Sequence, residues 1–78
     1  MIVTARLFGT LRRFASPGCP GLWRGDLPNG STVGDVVRAF GAEEREVSAA
    51  TLNGVLVPLT TAVPPAADLV LVTLMGGG

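Results

Sequence analysis

Two spacings of apolar residues run through the chain, one of period two and one close to period 3.6, and they mark out its elements. From Ile2 to Phe8 the alternation places Val3, Ala5 and Leu7 on one face and Ile2, Thr4, Arg6 and Phe8 on the other, which predicts a strand that stops at Gly9. Leu11 and Phe14, three apart between Thr10 and Ala15, predict one helical turn, and Ser16 to Gly21 is rich enough in Pro and Gly to be loop. A short strand is expected from Leu22 to Leu27. Pro28-Asn29-Gly30 then makes a turn, and Val33, Val36, Val37 and Phe40 fall at i, i+3, i+4 and i+7, the spacing of one helical face. Thr32 is placed to cap that helix, Asp35 suits its first turn, and Gly41 supplies the stop.

Ala42 to Glu46 reads as a solvated loop or frayed turn. Val47 to Leu52 and Val55 to Leu59 flank Asn53-Gly54, a pair suited to a type I′ hairpin turn because both residues tolerate positive φ, and Pro58 marks an edge or a strand end. After a loop from Thr60 to Ala67, the apolar run Asp68 to Leu74 predicts a central, parallel-paired strand covered on both faces. The order strand, strand, helix, strand, strand, strand implies an α+β fold in two layers, a mixed sheet packed on one main helix. Residues 1–75 are expected to form one domain, with residues 76–78 as a flexible glycine tail.

Composition narrows the chemistry. The 78 residues include six Arg, no Lys, six acidic residues, no His and one Cys, for a formal charge of zero. Without His there is no imidazole base, no His-activated nucleophile and no His-ligated metal. A single Cys closes no internal disulfide, and Cys19 lies in a Pro/Gly loop with no basic cluster beside it in sequence, so an ordinary thiol is expected there rather than a sulfur relay. Zero net charge argues against nucleic acid as a partner. No apolar run approaches the roughly 18 residues of a membrane span, and nothing resembling an export signal opens the chain, so no membrane partner and a cytoplasmic location are expected. Trp23 is expected in the core or half-buried in the sheet. Arg12 and Arg13 are expected to be solvated, with an acidic partner surface as the alternative.

What remains is the end of the chain. Glycine has no Cβ to hinder approach to its carbonyl, and a thin tail threads a narrow site, so Gly76-Gly77-Gly78 suits an acyl-transfer carrier. The α-carboxylate of Gly78 would be the reactive group. A carboxylate needs activation before it is an electrophile, and the chain carries no GxxxxGK[ST] loop with which to bind ATP itself.

The strand ending Phe8-Gly9-Thr10-Leu11-Arg12-Arg13-Phe14, the helix start Gly30-Ser31-Thr32-Val33-Gly34-Asp35-Val36-Val37, the Leu52-Asn53-Gly54 hairpin, the Ala67-Asp68-Leu69-Val70 strand entry and the terminal Gly77-Gly78 together resemble the MoaD/ThiS family. These are ubiquitin-like β-grasp sulfur carriers, and the resemblance covers essentially the whole chain. It implies a protein co-substrate rather than an enzyme. The Gly78 carboxylate would be adenylated with MgATP by a ubiquitin-activating-type enzyme, and sulfur from a persulfide would replace AMP. The thiocarboxylate would then serve a sulfur-accepting enzyme such as the molybdopterin synthase large subunit. Gly77 would be the unhindered neighbour of Gly78; Gly76, Met75 and Leu74 would line the partner's entry channel; Phe8 and Leu59 would join Leu74 in an exposed apolar patch. No cofactor is implied for the chain itself.

The sequence departs from the family pattern in three places. Ala67-Asp68 stands where Gly-Asp is common, no proline precedes the glycines as in many molybdopterin-branch members, and the Ser16 to Gly21 loop is longer than in compact thiazole-branch members. A thiazole or other sulfur carrier, a protein modifier joined through Gly78 and a non-covalent β-grasp binding module stay open as alternatives. The absence of Lys disfavours chains built on the protein itself.

Overall fold

The computed structural model describes residues 1–73. Five strands form one mixed sheet: β1 (Ile2–Phe8), β2 (Leu22–Asp26), β3 (Ala49–Leu52), β4 (Val55–Val57) and β5 (Leu69–Val72), in the order β2-β1-β5-β3-β4. The helix α1 (Val33–Ala39) lies on one face. Strands β1 and β5 pair in parallel at the centre, and the other pairings are antiparallel. This is the α+β, β-grasp arrangement expected.

The alternation in β1 places Val3, Ala5 and Leu7 in the core, at most 4% exposed, while Ile2, Thr4, Arg6 and Phe8 face out. By register, Leu69 and Leu71 of β5 and Ala50 and Leu52 of β3 stand on the same face as Ala5 and Leu7. Val33, Val36 and Val37 of α1 close over them with no exposed surface. Each such side chain contributes on the order of 1.5–3 kcal/mol by leaving water. Trp23 and Phe40 pack against this core with ring centroids 5.6 Å apart, so Trp23 is the half-buried sheet residue expected. Gly25, two residues along the same strand, leaves space that the indole ring fills: a Cβ there would stand 2.5 Å from Trp23.

Local signals act as read. The Thr32 hydroxyl accepts from the Asp35 N–H at 3.1 Å and the Asp35 carboxylate from the Thr32 N–H at 2.9 Å, a complete capping box. Asn53 and Gly54 have φ of 51° and 85°, as a type I′ turn requires. Asn53 and Asp68 then bond reciprocally, N–H to carbonyl and N–H to Oδ1, both at 2.9 Å, tying the hairpin tip to the entry of β5. That entry is made without glycine: Ala66 takes φ of 61°, a left-handed conformation that costs a non-glycine residue about 1 kcal/mol.

The Ala42 to Glu46 stretch is the short turn expected, a 3₁₀ turn over Glu44–Glu46 in which Glu44 and Glu46 pair with Arg38 and Arg13. Three expectations are corrected. The turn after β1 is a 3₁₀ helix over Gly9–Phe14, beginning immediately at the strand end with Gly9 at φ 66°. Leu27 lies past the end of β2, its N–H bonded to the Met1 carbonyl at 2.8 Å, and β4 stops at Val57, so Leu59 is outside the strand. Finally, β5 is central and parallel-paired but covered on one face only. Leu69 and Leu71 are buried while Val70 and Val72 are half-buried, because the single helix layer leaves the other side of the sheet open.

Two of these anchors carry a pH dependence. The Thr32 N–H, assisted by the Thr32 hydroxyl contact and Arg38, holds the Asp35 carboxyl below the usual carboxylate range, and the Glu43 N–H with Arg13 does the same for Glu46. Unfolded carboxyls titrate near about 3.9 for Asp and 4.3 for Glu. A folded-state value below the unfolded one gives stability that is full above the unfolded value and lost as pH falls through the folded one. Urea midpoints followed by circular dichroism are therefore expected to stay flat from neutral pH to about 5 and to fall below it. Asp35→Asn should shallow that fall, and an unchanged slope would contradict the assignment.

Candidate functional site

Five of the seven residues expected at the site, Leu74, Met75, Gly76, Gly77 and Gly78, lie outside the described residues. The other two are placed, and apart in environment. Phe8 ends β1 on the open face with 46% of its surface exposed. Leu59 is half-buried and packs against the core, and its carbonyl accepts the Gly34 N–H at 2.8 Å at the start of α1. The structure thus makes Leu59 a core-rim and helix-anchoring residue.

Phe8 has other apolar neighbours. In the register of the sheet, Phe8 stands beside Val72, and Val72 beside Ala49, forming one row across the open face. Arg6, Val70, Thr51 and Leu56 form the next row, with Leu56 70% exposed at the β4 edge. Sequence reasoning did not single out Val70, Val72 or Leu56. Their signal was the unbroken apolar run of the last strand, which reads equally as two-sided burial. With one face uncovered, that same run becomes an apolar strip running toward Thr73, where the described chain stops.

Both sheet edges are blunted. Ser16 folds along β2: its Oγ accepts the Arg24 N–H at 2.9 Å, and its own N–H reaches the Leu22 carbonyl at 2.8 Å. At the other edge Pro58 follows Val57 and offers no N–H to an added strand.

Among the described residues no group of three or more His, Cys, Asp or Glu is placed to hold a metal ion, and no helix is long and apolar enough to cross a membrane. Cys19 is a free, half-buried thiol in the Ser16 to Gly21 loop, with its N–H bonded to the Ser16 carbonyl at 3.0 Å.

Similarity to known proteins agrees with this geometry. The crystal structure of SAMP1 from Haloferax volcanii is 26% identical over the full length of both chains, with a TM-score of 0.70. A second structure, of H. volcanii small archaeal modifier protein 1, is 21% identical, covers 92% of this chain and 95% of that one, and has a TM-score of 0.68, a likeness of fold. No curated protein sequence matches. The ThiS family model matches residues 5–78. With the sheet order, the capped helix and this match in agreement, the chain belongs to the ThiS family and has the ubiquitin-like β-grasp fold.

Proposed function

We propose that the chain is a sulfur carrier whose reactive group is the C-terminal carboxylate of Gly78. The observation that carries this reading is the extent of the family match, which runs to residue 78 and so includes the glycine tail as well as the domain. The uncovered strip along β5 supports it, since a partner gripping that face lies beside the strand from which the tail continues.

The chemistry balances as follows. A ubiquitin-activating-type enzyme joins the Gly78 carboxylate to the α-phosphate of MgATP, releasing pyrophosphate. The terminal sulfur of a persulfide attacks the acyl carbon and AMP leaves. A second thiol then reduces the resulting acyl disulfide, forming a disulfide with the donor sulfur and freeing the thiocarboxylate. The carrier is a co-substrate in these steps and does no catalysis itself. The acceptor we favour is the large subunit of a molybdopterin-type synthase, with thiazole synthesis as the alternative.

Intact mass after incubation with the cognate activating enzyme, MgATP, a persulfide donor and a thiol tests the reading. The expected result is a gain equal to the exchange of one oxygen for sulfur. No gain with an active enzyme and an intact tail overturns it. A second reading, a protein modifier joined through Gly78 to lysines of other proteins, is favoured by the likeness to SAMP1 from Haloferax volcanii. It is recognised by a Gly-Gly-Gly remnant on target lysines after cyanogen bromide cleavage at Met75.

A further inference from the structure

The ion pairs leave two charges over. Among the described residues every acidic side chain is paired: Asp26 with the Met1 amino group at 3.0 Å, Asp68 with Arg6 at 2.6 Å, Glu43 with Arg45 at 2.7 Å, Asp35 and Glu44 with Arg38, and Glu46 with Arg13. Arg12 and Arg24 are in none of these pairs. The two adjacent arginines of the first turn are therefore different. Arg13 is held by Glu46 and lies 4.3 Å over the Phe14 ring, whereas Arg12 is exposed and has no ion-pair partner among the described residues.

The guanidinium groups of Arg12 and Arg24 belong to one side of the molecule. An open groove of about 310 Å³ is lined by Arg6, Phe8, Arg12, Pro20 and Leu22 among others. Its shape follows from the backbone: the Gly21 carbonyl accepts the Leu7 N–H at 2.8 Å, and Gly21, at φ 72°, has no side chain where Arg12 passes, the guanidinium Nε lying 3.9 Å from a Cβ that would stand there. In register Leu22 stands opposite Arg6 and Arg24 opposite Thr4, so Arg24 shares the open face with Leu22, two residues away on β2. The groove is thus an apolar floor of Phe8 and Leu22 with Arg12 at its wall and Arg24 beside it.

We propose that this groove is a docking site for a segment of a partner protein in which Asp or Glu residues flank an apolar side chain. The apolar side chain covers Phe8 and Leu22, one carboxylate takes the fork of Arg12, and a second takes Arg24. Charge complementarity selects the occupant, because each acidic side chain among the described residues is already paired while these guanidinium groups are in none of those pairs. Two uncompensated charges beside an apolar floor suit a short acidic segment and fall short of what a phosphate backbone demands. The contact needs neither ATP nor the Gly78 carboxylate, so it stands or falls separately from the sulfur-carrier reading.

The test is a titration of the isotopically labelled full chain with the peptide acetyl-Glu-Leu-Glu-Leu-Glu-amide at low salt, observed by amide resonances. Saturable shifts are expected at Phe8, Arg12, Gly21, Leu22 and Arg24. Affinity should fall about tenfold or more in the Arg12→Glu, Arg24→Glu double variant and stay unchanged in Arg45→Gln. Both reversed positions are exposed and have no ion-pair partner among the described residues, so the variant is expected to keep its remaining spectrum, which the same experiment reads. The proposal is overturned by absence of saturation, by equal binding of the glutamine version of the peptide, or by unchanged affinity in the double variant. It is also overturned if deletion of Gly77 and Gly78 strengthens binding, since the occupant would then be the chain's own terminus.

Discussion

A chain lacking Gly77 and Gly78 is expected to lose pyrophosphate exchange with its activating enzyme by about 100-fold or more while keeping its melting temperature. The size follows from geometry: misplacement of a reacting group by about 1 Å can cost two orders of magnitude, and deleting two residues withdraws the carboxylate by roughly 7 Å. Adding one alanine after Gly78 makes a sharper test. It keeps every native residue yet moves the carboxylate roughly 3.5 Å past the nucleotide phosphate, and it places a Cβ beside the reacting carbonyl. Both variants leave the core unaltered, since its buried side chains lie between Val3 and Leu71. Exchange at the wild-type rate in either variant would remove Gly78 as the reactive group. A non-covalent binding module would instead retain its biological function after the deletion.

The strongest local signals in the sequence were those in which side chain and backbone requirements coincide. Val33, Val36 and Val37 are wholly buried because helical spacing brings them to one face, and Thr32 with Asp35 fixes where that helix begins. Asn53-Gly54 set the β3–β4 register because both residues tolerate positive φ. What the sequence left unsaid was long-range. A local pattern cannot tell whether a second layer covers Val70 and Val72, since an apolar residue reads the same whether a helix or a partner lies over it. Nor can it divide Arg12 from Arg13: the distinction is made by Glu46, thirty-three positions from Arg13 and brought near only by the fold. The different settings of Phe8 and Leu59 have a related cause. β4 ends at Val57, before Pro58, and Leu59 turns back to anchor α1 through its carbonyl.

Leu71→Ala is expected to bring the domain close to unfolding, whereas Val70→Thr, one residue away, should be nearly silent. Leu71 is fully buried in β5, opposite Leu7 on one side and Ala50 on the other, and its truncation opens a cavity in the middle of the sheet. Such a change costs about 2–5 kcal/mol. A chain of 78 residues has in total only about 4–12 kcal/mol, at 0.05–0.15 kcal/mol per residue, with no disulfide to supplement it. The melting temperature should fall by roughly 10–40 °C, at about 4–8 °C per kcal/mol for a domain of this size. Val70 lies on the uncovered face, and threonine keeps its β-branched shape and suits a strand, so its replacement should cost about 1 kcal/mol or less. If the open face serves a partner, Val70→Thr will instead weaken that association in a protein that still melts normally. Equal thermal losses in the two variants would mean that β5 is covered on both faces after all.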